Sequence, residues 1–386
     1  MGELWPLPDD PLVAEMQQFA DRHRIGERGR ALDRTPEFPR AEFQALGAAG
    51  LLGLTVRPAL GGRGVPLPRA ATALFHLAYL GGTVFAKLSM QPEFCSVLAD
   101  HGAPEVVDEW FRPMLRGERL VGNQITEAAG GSDATALRST VTREGHDYLL
   151  TGEKTEVAMA PDAEASIVYA RAPGSSGHEG ISAFLVPQDL PGVERIAGAV
   201  DLGERWQRRG SVRYDRVRLP AKFLLGEEGA GFRYVLPELA QDRGLLAAIY
   251  LGVARASWDE TVRYVGRRTA FRRPLAEQQS LAFELVEDGL RLESAWLFTL
   301  RALARLSEGE GASAETGLAK AVATEVSLRA IDHAIQFHGG RGYSSAYPHE
   351  QRWRDVRSGS IAHGPSEVLY RAAARRLWPR SPVGNP

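Results

Sequence analysis

The chain has 386 residues, of which 44% are apolar and 24% are charged. That is enough for one large domain, or for two or three smaller ones, with ordinary buried cores. The formal net charge of −2 argues against nucleic acid or an anionic membrane as a partner. The single cysteine, Cys95, excludes an intrachain disulfide and a metal site built from several cysteines, and it suits a reducing cytosol.

The chain also lacks the patterns that predict export or membrane insertion. Residues Met1 to Pro6 have neither the basic region nor the long apolar run of a secretion signal. The longest apolar run, Leu245 to Ala254, is too short to span a bilayer. We therefore expect a cytoplasmic protein that does not insert into membranes.

The N-terminal part has the apolar spacing of helices. Leu12, Val13, Met16, Phe19 and Ala20 fall on one helical face. The same spacing predicts further helices after Pro39 and over residues 68–82, 86–100 and 104–116.

From about residue 121 the apolar period changes to two, which is typical of strands. Strands are predicted over Val121–Thr126, Leu137–Thr142, Asp147–Gly152, Ser166–Arg171, Ile181–Pro187 and Ser211–Leu219. Turns rich in Gly, Pro and Asp separate them, so we interpret this region as a compact antiparallel β unit.

The helical period returns at Gly229 and continues. Helices are predicted over about 230–264, 276–307, 313–338, 349–357 and 366–377. This order favours separate all-α and all-β modules rather than a βαβ sheet. We therefore predict a mostly α protein with a central β domain, divided into 1–120, 121–228 and 229–386.

Two glycine runs, Gly61–Gly64 and Gly339–Gly342, could be mistaken for dinucleotide-binding fingerprints. Neither follows a strand inside a βαβ unit, so a Rossmann fold is excluded. Taken alone, they are tight turns between helices.

Several motifs in order carry a family resemblance. Thr126–Asp133 reads TEAAGGSD, and Gly339–Tyr343 is followed by Tyr347-Pro348 and Arg354-Asp355. Together they resemble the loop and the distal signature of the acyl-CoA dehydrogenase family. Similar segments occur at residues 58–64, 102–110, 226–232 and 268–275, so the resemblance covers nearly the whole chain.

The resemblance implies an N-terminal helical domain, a β-barrel-like middle domain and a C-terminal four-helix bundle. It also implies FAD between the β domain and the bundle, completed by a neighbouring subunit in a homodimer or homotetramer. The residues that would reach the neighbour's FAD are Arg268, Phe271, Gln279, Gln336 and Gly340.

Family members remove the α-proton of an acyl thioester with a carboxylate and pass the β-hydride to flavin. This chain has His363 where the usual Glu stands. A subset of the family places its base one residue before an arginine on another helix, and that position holds Asp242, before Arg243. We favour His363 slightly as the base. A structural histidine, buried or capping, is the alternative for His363, and a simple Asp–Arg surface or helix pair is the alternative for Asp242.

Other positions match the family's cofactor and substrate contacts. Thr126 and Ser132 would contact the flavin, and Ser132, Arg243 and Gly364 would contact the thioester. Three positions depart from the family: Glu156 replaces a Trp, while Ala158 and Pro365 each replace a Thr. We expect these changes to weaken FAD binding, partly because an anionic Glu156 opposes an anionic reduced flavin.

A basic cluster of Arg205, Arg208, Arg209 and Arg213 could contact the phosphate of CoA or phosphopantetheine, because arginine binds phosphate bidentately. The alternative is a solvated charged loop.

Three functions remain open at this stage. The first is dehydrogenation of an acyl thioester, linked to CoA or to a carrier protein, with electrons leaving to a redox partner. The second is a flavin monooxygenase supplied by a flavin reductase, which His363 and Ala158 favour. The third is a flavin-free scaffold or binding protein, which Glu156 and Pro365 favour.

Overall fold

The computed structural model describes residues 10–378, which divide into two compact units. One unit, called the C-terminal unit below, contains the described part of Met1–Met16, Leu67–Thr83 and the described part of Ala240–Pro386. The other, called the sheet unit, contains Gln17–Pro66 and Val84–Leu239. The three-domain division at residues 120 and 228 stays a prediction.

The N-terminal region is helical, as predicted. Its helices are α1 (Pro11–His23), α2 (Ile25–Arg34), α3 (Arg40–Ala48), α4 (Leu67–Gly81), α5 (Thr83–Ser89), α6 (Ser96–His101), α7 (Pro104–Val106) and α8 (Arg112–Leu115). The single helix predicted over 86–100 is wrong: α5 and α6 are separate. Pro92 lies between them, and proline lacks the N–H that a continuous helix needs.

The middle region forms an eight-stranded sheet. Its strands are β1 (Val121–Gln124), β2 (Thr140–Glu144), β3 (Asp147–Val157), β4 (Ala165–Arg171), β5 (Ile181–Pro187), β6 (Val193–Ala197), β7 (Gly210–Leu219) and β8 (Leu224–Leu225). The order is β6-β7-β3-β2-β4-β5-β8, with β1 paired to β4. Its core includes buried Tyr148, Leu150, Val212, Tyr214 and Val217.

Two features of the sheet differ from the prediction. The β1–β4 pair is parallel, so the sheet is not purely antiparallel. Strand β6 was not predicted, because it has no buried residue to produce a clear period of two.

The C-terminal region is again helical, which confirms the predicted helix–strand–helix order. A short hairpin, β9 (Thr269–Ala270) and β10 (Arg273–Pro274), follows the first helix. The helices are α9 (Gly231–Arg267), α10 (Gln279–Ser307), α11 (Ser313–His338), α12 (His349–Arg357) and α13 (Ser366–Leu377). Helix α4 packs here through Phe75, whose ring centroid lies 4.8 Å from that of Trp296.

Every residue of the apolar run from Leu245 to Ala254 is buried within α9. Within residues 10–378, no helix is both long enough and apolar enough to cross a membrane.

Candidate active site

The two alternatives for the base that follow from the sequence lie close together: Asp242 is on helix α9 and His363 is in the loop before α13. Oδ2 of Asp242 lies 3.9 Å from Nε2 of His363. Asp242 is 1% exposed and His363 is 29% exposed, so the imidazole is the more accessible of the two. The alternative of a surface Asp–Arg pair is wrong for Asp242, because its carboxylate is buried.

The side chain of Arg243 contacts the backbone of the same loop. Its Nε donates a 2.8 Å hydrogen bond to the carbonyl oxygen of His363. Burial lowers the pKa of Arg243 from its ordinary value, and Asp242 opposes that shift. Asp242, Arg243 and His363 therefore form one cluster, although His363 lies 120 residues after Arg243 in the chain.

The loop that carries His363 has an uncommon backbone conformation. His363 has a φ of 53° and Gly364 has a φ of 94°. A non-glycine residue in the left-handed region costs about 1–2 kcal/mol, so the surrounding structure must hold it there.

A buried lysine that sequence reasoning missed holds this loop. Lys320 of α11 is fully buried, and its Nζ donates to the carbonyl oxygens of Gly359, Ala362 and Gly364 at 2.7, 2.7 and 2.9 Å. A sequence signal did exist: the residues three and four positions from Lys320 along the helix are all small and uncharged, and an unpaired lysine on such a face is rare. They are Thr316, Gly317, Ala323 and Thr324.

Gly359 anchors the start of the same loop. A Cβ there would lie 2.5 Å from Cε2 of Tyr250 and 2.7 Å from Oγ1 of Thr324. The loop backbone therefore lies directly against α9 and α11, where a larger residue would displace it.

In the sheet unit, a buried ion pair closes the loop that carries Thr126 and Ser132. Nζ of Lys154 lies 2.7 Å from Oε1 of Glu127, and both side chains are buried. The Glu127 carboxylate also accepts from the backbone N–H groups of Arg138 and Ser139. One carboxylate thus ties together both ends of the loop, with Ser132 exposed at its tip.

Burial disfavours the charged form of both groups in this pair. Burial lowers the pKa of Lys154 to about 8, and Glu127 opposes that shift. Burial works to raise the pKa of Glu127, but Lys154 and the hydrogen bonds outweigh it and lower the pKa. We take the pair as charged at neutral pH, because Lys154 donates to two oxygens, those of Glu127 and Ile125.

Strand β3 ends at the positions that depart from the family pattern. Glu156 is exposed and has a φ of 55°. Its Oε2 lies 3.2 Å from Nη1 of Arg209, which also binds Asp201. The negative charge of Glu156 is therefore compensated within the chain, which removes much of the electrostatic objection to a reduced flavin beside it.

The basic cluster before β7 is paired throughout. Arg205 faces Asp33, Arg208 binds Asp162, Arg209 binds Asp201 and Glu156, and Arg213 binds Glu153 and Glu194. These ion pairs favour the alternative of a charged surface loop over a phosphate site.

The C-terminal unit exposes every residue that the resemblance assigned to a neighbour's cofactor. Those residues are Arg268, Phe271, Gln279, Gln336 and Gly340. Phe271 is 91% exposed, which is uncommon for a large aromatic side chain. A Cβ built on Gly340 would meet no atom of the described chain within 4 Å, so a flat group has room there.

A cavity of about 390 Å³ opens beside Arg268. Arg263, Arg267 and Arg268 line it together with Glu260 and Tyr347, and Tyr264 and His338 stack there with ring centroids 4.0 Å apart. Guanidinium groups suit phosphate and aromatic faces suit a flat heterocycle, so the lining fits the nucleotide part of a dinucleotide.

Comparison with known protein families decides the assignment. The N-terminal, middle and C-terminal domains of acyl-CoA dehydrogenase match residues 10–118, 122–217 and 229–378. The chain belongs to the acyl-CoA dehydrogenase family.

Individual relatives agree. The chain is 32% identical to the mouse mitochondrial short-chain specific acyl-CoA dehydrogenase, over 90% of this chain and 84% of that one. It superposes on butyryl-CoA dehydrogenase from Megasphaera elsdenii with a TM-score of 0.89 and 26% identity, covering 95% and 97% of the two chains. For the prolyl acyl carrier protein oxidase AnaB the TM-score is 0.90 with 25% identity, covering 95% and 98%.

Membership confirms the predicted fold class and FAD as the cofactor. This acyl-CoA dehydrogenase family member is a flavin-dependent oxidoreductase that acts on the CH–CH bond of acyl thioesters. Its residues fit FAD at the exposed C-terminal positions and at the Thr126–Ser132 loop. Ala158 and Pro365 cannot supply the hydroxyl groups that threonine would offer there.

Proposed function

We propose that His363 takes the α-proton of the acyl thioester and that Asp242 stabilises the resulting imidazolium. The convergence of these two side chains, 3.9 Å apart, carries the proposal. The imidazole is partly exposed and can meet a substrate, whereas the Asp242 carboxylate is enclosed by protein. An anion close to a histidine favours its protonated form, which is the form that proton abstraction produces.

Arg243 and Gly364 act on the other end of the thioester. Because Arg243 holds the carbonyl of His363, the N–H of Gly364 in the same trans peptide points the opposite way. That N–H donates to the thioester carbonyl and so makes the α-proton more acidic. Bound FAD supplies the acceptor for the hydride from the β-carbon.

Thr126, Ser132 and Glu156 hold the flavin from the sheet unit. The Glu127–Lys154 pair fixes the loop of Thr126 and Ser132, and Arg209 fixes Glu156. The phosphopantetheine thioester is common to acyl-CoA and acyl-carrier protein, so both are acyl donors to test. Oxidation of the substrate releases two electrons, which a separate redox partner removes.

The exposed apolar face of α10 supports a homo-oligomer. Phe283, Val286, Leu290 and Leu297 are all more than half exposed, and their spacing places them on one side of the helix. A second copy of the chain covers this face and brings the exposed Arg268 and Phe271 to its partner's cofactor. We place the enzyme in the cytoplasm, where the buried thiol of Cys95 stays reduced.

The test is anaerobic reduction of the FAD-loaded protein by a panel of acyl-CoAs and the matching acyl-carrier proteins. Loss of flavin absorbance with at least one thioester, and formation of its α,β-unsaturated product, supports the proposal. The carrier-linked and CoA-linked arms separate the two donors. If no thioester reduces the flavin, and supplied reduced flavin with O2 instead gives a product that contains an oxygen atom from O2, the monooxygenase function replaces it.

A further inference from the structure

The carbonyl oxygens around His363 all point towards cationic side chains. Lys320 donates hydrogen bonds to those of Ala362 and Gly364, and Arg243 donates one to that of His363. Lys320 also binds the carbonyl of Gly359 at the other end of the loop. One ammonium group thus donates to three carbonyl oxygens within the six residues from Gly359 to Gly364.

This arrangement fixes the direction of the backbone amides. In a trans peptide the N–H is opposite the C=O. Because the carbonyl of Ala362 is turned towards Lys320, the N–H of His363 points away from Lys320. Because the carbonyl of His363 is turned towards Arg243, the N–H of Gly364 points away from Arg243. A cation on the carbonyl oxygen also polarises the peptide and strengthens its N–H as a donor.

We infer that Lys320 is a positioning residue, which holds the His363–Gly364 backbone so that its amides face the thioester carbonyl. This rests on the proposed function, because it assigns those amides to thioester recognition. Lys320 does not touch substrate. It stabilises the positive φ values of His363 and Gly364 through the three carbonyls it binds.

The obvious alternative is that Lys320 only stabilises the fold. The two roles differ in where a substitution acts. Loss of a positioning residue loosens the 359–365 backbone and lowers the limiting rate, with little effect on the half-saturating substrate concentration. Loss of a merely structural residue lowers stability without a preference for that segment.

The experiment compares Lys320→Met, which removes all three donors, with Lys320→Arg, which keeps a charged donor. Thr299→Val is the matched control, because Thr299 is buried in α10 of the same unit and its Oγ1 donates to the carbonyl of Ala295. Hydrogen exchange by mass spectrometry reports the 359–365 amides, and anaerobic reduction by a thioester reports the limiting rate.

We expect Lys320→Met to exchange the 359–365 amides about tenfold faster or more, while the strands of the sheet keep their protection. Its limiting reduction rate falls by about a hundredfold, the loss typical of a misplaced oxyanion donor. Lys320→Arg recovers part of both, and Thr299→Val changes neither.

Unchanged exchange over 359–365 in Lys320→Met, or a rate loss matched by Thr299→Val, overturns the inference. If Lys320→Met does not fold, Lys320→Gln keeps two donors without the charge and is judged by the same two measurements. If wild-type protein is not reduced by any thioester, the proposed function fails, and the exchange data alone decide whether Lys320 holds the loop.

Discussion

Nε2 of His363 faces Oδ2 of Asp242 at 3.9 Å, so the two alternatives for the base belong to one site. The distance is longer than a hydrogen bond, and catalytic contacts often shorten once substrate binds. In the mechanism that we propose, the accessible imidazole receives the proton and the buried carboxylate stabilises its charge.

Substitution should separate those roles. His363→Ala is expected to lower the rate of α-proton exchange into heavy water by about a hundred- to ten-thousandfold, because a general base is lost. Asp242→Asn keeps the imidazole but removes the nearby anion, so a smaller loss is expected. Proton NMR of a saturated acyl thioester incubated with each variant measures the exchange. Complete loss in Asp242→Asn with an active His363→Ala would instead make the carboxylate the base.

Retention of FAD should respond to two substitutions that restore threonine. Ala158→Thr returns a hydroxyl group, which is worth on the order of 1 kcal/mol where it forms a hydrogen bond to the cofactor. Pro365→Thr does the same and also adds a side-chain oxygen at the N-cap of α13, worth about 1 kcal/mol of stability. FAD content after gel filtration measures the effect. Ala158→Val and Pro365→Val are the controls, because valine has the shape of threonine without its hydroxyl group. Unchanged retention in both threonine variants would show that neither position limits binding.

Removal of the Arg209 side chain should expose the effect of the Glu156 charge. Arg209→Ala leaves Glu156 without its 3.2 Å partner, so the anionic reduced flavin is destabilised and the reduction potential falls. Glu156→Gln with Arg209→Ala should return the potential towards that of wild type. Redox titration with dye indicators measures all three proteins. Equal potentials would place the Glu156–Arg209 pair too far from the flavin to act on it.

Acid stability should depend on His349. Burial, then Arg352 and His338, lower the pKa of His349 to about 3, and neither ring nitrogen has a hydrogen-bond partner among the described residues. The unfolded chain binds this proton near pH 6.5 and the folded chain does not, so stability falls as pH drops below 6.5 towards 3. From pH 6.5 to 5 the loss is about 2 kcal/mol.

His349→Phe tests this directly, because the ring is retained beside His338 and Tyr347 while the titrating group is lost. Urea unfolding at pH 7 and pH 5 should give a smaller acid-induced loss in the variant than in wild type. Glu260 and Arg352 stay in place in both proteins, so they do not distort the difference. Equal losses in the two proteins would assign the acid sensitivity to other groups.

Assembly should depend on the apolar face of α10. Light scattering at micromolar concentration is expected to give a dimer or tetramer for wild type. Leu290→Glu places a charge in the middle of that face and should dissociate it, together with loss of FAD if a neighbour completes the cofactor site. Gln44→Glu adds the same charge at an exposed position of α3, outside this face, and serves as the control. A monomeric wild type that keeps FAD would contradict the assembly.

Much of the fold followed from the sequence, because apolar period is a local property. The change from a helical period to a period of two near Val121, and its reversal near Gly229, is visible along the chain and predicts the helix–strand–helix order. Strand β5 was predicted at its observed bounds, Ile181–Pro187. All seven of its residues are buried, and the sequence shows this as an almost continuous run of apolar residues. Motif order then identified the family, with His363 and Asp242 in the two base positions.

Only the tertiary structure shows which of those residues meet and which of them is accessible. Which of Asp242 and His363 is accessible depends on packing across α9 and the loop before α13, and no sequence period records that. The parallel β1–β4 pair was missed for the same reason, since pairing partners are set by the whole sheet. The edge strand β6 was missed because none of its residues is buried, so its sequence has no clear period of two. The buried Lys320 and the Glu156–Arg209 pair join residues far apart in the chain, and a charge finds its partner only when the chain folds.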